Sequence, residues 1–267
     1  AKFERAGLGK RSMAAISWMF RRSKIPWEKL LAVSTIVMIN RFGITGGSLA
    51  VDETDKKRSK SAKMIYRLHK IKDKATGGYL TGQKLVFVVL VAKNVTIPVG
   101  FQFHMPDPKL KEWKKLDEKL RRQGVPKKGR PPEPDRDENY PQIPAIALEL
   151  LRQFEANHPQ IKVNCVLVDA LYGTKSFMDE ASEIFGGLQV ISQIKENQNV
   201  LFRNRKIPVK KYFASRPGVE QQVRIRGGEN ATVVVASARL HVCSHGKKRF
   251  VIALKYEGEE DCRYIMA

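Results

Sequence analysis

The chain has 267 residues, and its 49 lysines and arginines against 27 acidic residues give a formal net charge of +22. That excess excludes an average metabolic enzyme and points to a polyanionic partner. A hydrophobic content of 42% excludes a fully disordered basic tail. Three widely separated cysteines, Cys165, Cys243 and Cys262, exclude a disulfide scaffold or a cysteine-rich zinc ribbon and fit a reducing cytoplasm.

The start, Ala1-Lys2-Phe3-Glu4-Arg5, has no initiator Met and no apolar signal region, and Arg263-Tyr264-Ile265-Met266-Ala267 reads as the middle of a strand. The expectation is a fragment at both ends. The apolar stretch Leu30–Ile39 falls short of the ~20 residues of a spanning helix, and Leu85–Phe103 carries Lys93, Asn94 and Pro98. A membrane protein is not expected.

Residues 1–42 read as helical, with Trp18, Met19, Leu30, Leu31, Val33, Ile36 and Val37 supplying apolar faces. Ile25-Pro26 divides them, because the residue before proline is pushed out of the helical region. Ser48-Leu49-Ala50-Val51 is a short buried strand ending at Asp52, and residues 56–74 follow as a basic run. Lys84 to Phe103 is a β-hairpin of β-branched and aromatic residues, with Pro98 marking its second strand as an edge. Asp107 to Gln123 is a charged helix, and Gly124 to Tyr140, with four prolines, is an exposed, mobile linker. Pro144–Asn157 is a helix and Val163–Val168 a central strand ending at Asp169. Ser176–Phe185 is a further helix and Leu188–Ile191 a strand, and from Tyr212 onward short strands dominate. The division expected is a helical segment over 1–47, a catalytic core over 48–195 containing the charged helix and linker at 104–140, and a β-rich insertion over 196–267.

Asp52 and Asp169 each follow an apolar strand at its carboxyl end. If those strands are neighbours, both carboxylates emerge at the edge where open α/β sheets place their sites. Two close carboxylates repel unless a cation lies between them, which predicts a hard divalent metal, Mg²⁺ or Mn²⁺. The pattern equally allows one or both aspartates merely to cap loops.

Val168-Asp169-Ala170-Leu171-Tyr172-Gly173, Asp52-Glu53-Thr54, Ile97-Pro98-Val99-Gly100-Phe101, Gln189-Val190-Ile191-Ser192-Gln193 and Ser237-Ala238-Arg239-Leu240-His241-Val242 resemble bacterial insertion-sequence transposases of the DDE class, of the insertion-sequence-4-like kind. The resemblance runs from about Ser48 to the end. It implies an α/β, ribonuclease H-like mixed sheet flanked by helices, with a β-rich insertion before a helix that carries a glutamate. It further implies Asp52 and Asp169 as catalytic metal ligands, and cleavage and strand transfer of DNA in the presence of Mg²⁺ or Mn²⁺. Double-stranded DNA, both element ends and target, is the implied partner of a homo-oligomer in the bacterial cytoplasm, nucleoid-associated when bound. The family's helical Tyr-x-x-Arg-x-x-x-Glu-x-x-x-x-x-x-Lys stretch does not occur here. Glu257, Glu259 and Glu260 lie in a Gly-containing turn, so the third catalytic glutamate is none of them, and the chain is expected to stop short of it. The rivals are a ribonuclease H-like nuclease or junction resolvase, and a catalytically inactive DNA-binding remnant of a mobile element.

Lys56, Lys57, Arg58, Lys60, Lys63, Arg67 and Lys70 follow the first aspartate and are expected to contact DNA phosphates. Tyr66 and Tyr79 interleave but fit rim packing better than base stacking. The second basic cluster, Lys109 to Arg130, also holds Glu112, Asp117 and Glu118 and reads at least as well as a charge-paired exposed helix. His241, Cys243 and His245 alternate like a metal trio, but Gly246-Lys247-Lys248 marks a turn that removes His245 from their face.

Overall fold

The computed structural model describes residues 12–22, 24–59, 65–73, 75–224, 228 and 230–267. It opens with helices α1 (Met13–Arg22) and α2 (Trp27–Phe42), divided at Ile25-Pro26 as the proline dictates. The apolar residues expected to pack α2 largely face outward: Leu30, Val33, Ile36 and Val37 are exposed, whereas Thr35 and Ile39 are buried. Thr35 Oγ1 donates to the Pro98 carbonyl at 3.4 Å. A helix apolar around most of its circumference does not announce its inner face.

Among the described residues one 12-stranded mixed sheet carries the rest of the fold. β1 (Gly46–Lys57) lies antiparallel to β3 (Tyr79–Val91), whose far side pairs with β2 (His69–Lys72) and β4 (Thr96–His104). On its other side β1 runs parallel to β5 (Lys162–Val168), which runs parallel to β6 (Val190–Gln193). The order β4-β3-β1-β5-β6 is the expected ribonuclease H-like α/β arrangement, with a hairpin after the first strand and the second aspartate on a neighbouring parallel one. Among the described residues β4 pairs with β3 alone, and Pro98 sits where their register shifts, as a residue without an N–H requires.

The sheet continues into the β-rich region. β12 (Arg263–Met266) pairs with β6, then β11 (Lys247–Tyr256), β10 (Asn230–Val242), β7 (Asn199–Phe202) and β8 (Arg205–Pro208) follow, with β9 (Val219–Arg224) also on β10. The β7–β8 hairpin and the short helix before β9 (Val209–Ala214) went unread in the sequence. Arg203 and Asn204 both take positive φ, 48° and 59°, the requirement of a tight two-residue hairpin, but without the glycine that signals it.

Three further helices matter for the site: α3 (Pro108–Arg122), α4 (Ile143–Asn157) and α5 (Lys175–Ile184). Ile146, Leu150, Leu151 and Phe154 of α4, with Phe177, Met178 and Ala181 of α5, form one core with Leu49, Val51, Val86, Val88, Leu90, Val166 and Val168 of the sheet. The opposite sheet face, with Ala50, Phe87, Val89 and Leu167, is only partly buried. Residues 124–140 are mostly exposed, as expected of a linker, but they return along α3 rather than trailing free. Trp113 Nε1 donates to the Pro131 carbonyl at 2.9 Å, Arg130 pairs with Asp117 at 2.8 Å, and Asp107 Oδ2 accepts from the Asp137 N–H. Among the described residues no helix is long and apolar enough to cross a membrane.

Candidate active site

β1 and β5 pair in parallel with Val51 opposite Val168, so Asp52 and Asp169, each the next residue, leave neighbouring positions on adjacent strands. Such strands lie about 4.8 Å apart. Alternation sets Asp52 on the face of Ser48 and Ala50, and Asp169 on the face of Cys165 and Leu167. Those faces are the same one, since Cys165 Sγ donates to Ser48 Oγ at 3.3 Å. This is the open face, away from α4 and α5.

The strand carrying Asp52 is longer than expected. β1 does not end there but runs on to Lys57, because β3 keeps pairing with it after β5 has stopped. Each carboxylate is half engaged by backbone: Asp52 Oδ1 accepts from the Glu53 N–H at 2.8 Å, and Asp169 Oδ1 from the Leu171 N–H at 2.7 Å. The other oxygen of each has no protein partner among the described residues.

Glu53 was not singled out in the sequence. On the face opposite Asp52, its Oε2 accepts a hydrogen bond at 3.1 Å from the hydroxyl of Tyr172, a fully buried ring. The bond ties the first aspartate strand to the loop that carries the second aspartate. Burial, then the charge and hydrogen bond of Glu53, then the charges of Asp169 and Asp52, hold the Tyr172 phenol well above its ordinary range. Both aspartates therefore act on one side chain. Its signal was available: a carboxylate on the inward beat of a strand needs a buried donor.

The 169–174 loop is held from behind. The fully buried Ser192 hydroxyl lies 2.9 Å from the carbonyls of Asp169 and Gln193. A Cβ on Gly173 would come within 2.6 Å of that hydroxyl, which explains the glycine. His245, 2% exposed, contacts the Gly173 carbonyl through Nε2 at 3.1 Å, and Arg249 Nε donates to its Nδ1 at 3.3 Å. Arg249 also binds Asp179 at 2.6 Å, shared with Lys247 at 2.5 Å. Burial lowers the His245 pKa, the Gly173 bond opposes it, and the Arg249 charge lowers it again. A neutral ring protonated at Nε2 satisfies both partners. His245 thus belongs to this support, not to a metal trio with His241 and Cys243.

Among the described residues no third carboxylate, histidine or cysteine gathers with Asp52 and Asp169. In the turn after β11, Glu259 pairs with Arg263. The basic residues expected beside the site divide in two. Lys56, Lys57 and Lys70 are exposed, the first two on the free end of β1. Arg58 instead donates to Gln83 at 2.8 Å, and Arg67 donates to the Asn139 carbonyl at 3.1 Å while lying over the rings of Tyr66 and Tyr140. Lys60 and Lys63 lie outside the described residues. Tyr66 packs edge-on to Phe103, and Tyr79 is exposed.

Compared with known proteins, residues 5–246 match the sequence model of the DDE superfamily endonucleases. No curated protein matches the chain significantly.

Proposed function

The chain belongs to the DDE superfamily endonuclease family, and from that premise we propose that it is a transposase core that cuts DNA at the ends of an insertion sequence and joins the freed ends to target DNA. The family supports DNA cleavage of the nuclease and transposase type. The observation that carries the finer reading is the parallel pairing of β1 and β5, which sets Asp52 and Asp169 side by side on the open sheet face. Two adjacent carboxylates, each keeping one oxygen without a protein partner among the described residues, fit a hard divalent cation such as Mg²⁺ or Mn²⁺ and fit soft metals poorly. Bound there, the cation supplies charge neutralisation at the reacting phosphate.

The chain's own residues do the rest. Asp52 and Asp169 provide the anionic donors, and the Glu53–Tyr172 bond fixes their separation. Exposed Lys56, Lys57 and Lys70 hold phosphates of the duplex beside the cut. Water attacks a phosphodiester at each element end and expels the element's 3′-oxygen, leaving a 5′-phosphate on the flank; the freed 3′-hydroxyl then attacks a target phosphodiester and displaces the target's own 3′-oxygen, with no covalent enzyme intermediate. A homo-oligomer that brings two ends together suits this sequence of steps.

The test is metal-dependent nicking of the element's own end sequence by the gene's full product and by Asp52→Asn and Asp169→Asn. An amide cannot neutralise the metal charge, so each variant should lose nicking while binding DNA as before. Nicking at the parental rate by either variant would remove the chemical basis of the reading. DNA bound but left uncut by the parent itself would instead mark a binding remnant of a mobile element.

A further inference from the structure

α3 presents two unlike sides. At 100° per residue, Trp113, Asp117 and Leu120 fall on the side of the returning strap, where Trp113 and Asp117 bond to Pro131 and Arg130. Lys111, Lys115 and Arg122 fall on the other. No residue of the helix is buried, so its sequence answers to something other than a core. Its acids neutralise little of it: Asp117 pairs with Arg130 off the helix, and Glu118 with Arg122. Lys109, Lys111, Lys114, Lys115, Lys119 and Arg121 have no ion pair among the described residues. Two of its three acids are ion-paired, as the charge-paired reading expects, but seven basic residues against three acids leave the helix cationic.

Between this stripe and the end of the strap lies a groove of about 370 Å³, lined by Lys111, Lys114, Lys115 and Glu118 on one side and by Arg136 and Tyr140 on the other, with His104 and Asp107 between the elements; Glu118 is engaged by Arg122 and Asp107 by backbone N–H groups. Tyr140 lies under the Arg67 guanidinium, 5.3 Å from its ring centroid, which joins the groove to the basic ribbon of β1 and β2. Burial, then the charges of His69, Lys84 and Arg67, hold the His104 pKa down to about 4. The groove's lining carries four lysines and arginines against two acids.

The groove opens at the same end of the sheet as the aspartates. β4 runs in the direction of β1, and through Phe87 the register sets Phe101 level with Asp52, three residues before His104. Strand spacing and rise put His104 roughly 14 Å from Asp52 along the sheet but on its other face, since alternation sets Phe101 with Asp52 and His104 with Glu53, so a duplex that reaches both passes over the end of the sheet.

We propose that α3 and its strap form a DNA-gripping arm, whose groove holds the phosphate backbone of the duplex flanking the cleaved bond. The location of the cut rests on Asp52 and Asp169 as the cleavage site; the grip rests on the groove's own charges.

Replacing Lys111, Lys114 and Lys115 together by Gln removes charge while keeping helix propensity nearly constant. Binding of a labelled duplex of arbitrary sequence by the full chain, titrated in EDTA over a salt series, should show a log–log slope shallower by about 2–3, since each phosphate no longer neutralised removes ~0.9. The change should be the same for any duplex sequence. An unchanged slope overturns the proposal. So does a variant that binds duplex as before but has lost binding to polyglutamate, which would assign the groove to an acidic protein. Because EDTA silences the metal site, a failed nicking assay with the slope change intact would count against the aspartates alone.

Discussion

At Tyr172, burial and the neighbouring carboxylates keep the phenol protonated, so it donates to Glu53 throughout the pH range in which the protein is folded. Tyr172→Phe leaves the ring packed but strips Glu53 of that donor, at a cost of about 1–3 kcal/mol. A denaturant midpoint lowered at unchanged m-value is the expected readout. Three histidines contribute to the acid limb of stability between about pH 6.5 and 4. His104, held down to about 4 by burial and nearby cations, and His158 and His245, both lowered first by burial, bind protons less readily folded than unfolded. Stability is then complete above about pH 6.5 and is lost as pH falls toward 4, because the unfolded chain takes up protons that the native state refuses. His104→Gln should flatten the fall in melting temperature across that window. An unchanged profile would show that His104 titrates normally.

Among elements, the 169–174 loop depends on a partner far away in sequence: the β10–β11 turn supplies His245, and β11 supplies Arg249. His245→Leu should raise amide exchange across the loop and weaken Mn²⁺ binding, and His245→Gln, whose amide reaches toward the Gly173 carbonyl, should restore much of both. Gly173→Ala drives a methyl into the Ser192 hydroxyl and should cost about 1–3 kcal/mol. The two aspartates were legible because apolar runs stop at them, and the paired order of hairpin and parallel strand followed from the same runs. The extension of β1 through Asp52–Lys57 was not, since charged side chains hide backbone pairing that β3 maintains. The strap was not, since prolines and lysines carry no periodicity and its anchors, Trp113 and Asp117, read as ordinary helix residues. Glu53, Ser192 and His245 acquire their roles only when distant segments meet.

For the whole molecule, the net charge of +22 predicts duplex binding with little sequence preference and a steep loss of affinity as salt rises, to be read from a salt titration of a labelled duplex. Charge removal at Lys56, Lys57 and Lys70 should reduce the slope by ~0.9 for every phosphate that is no longer neutralised. Arg58→Ala, which deprives buried Gln83 of a partner, should act more on stability. The central claim is that Asp52 and Asp169 hold one divalent cation between them. Mn²⁺ titration followed by electron paramagnetic resonance, on the parent, Asp52→Asn, Asp169→Asn and the double variant, tests it most directly. One shared site predicts a weak parental site that either single substitution abolishes, with the double variant no worse than the singles. A site that survives either substitution, or losses that simply add, would contradict it.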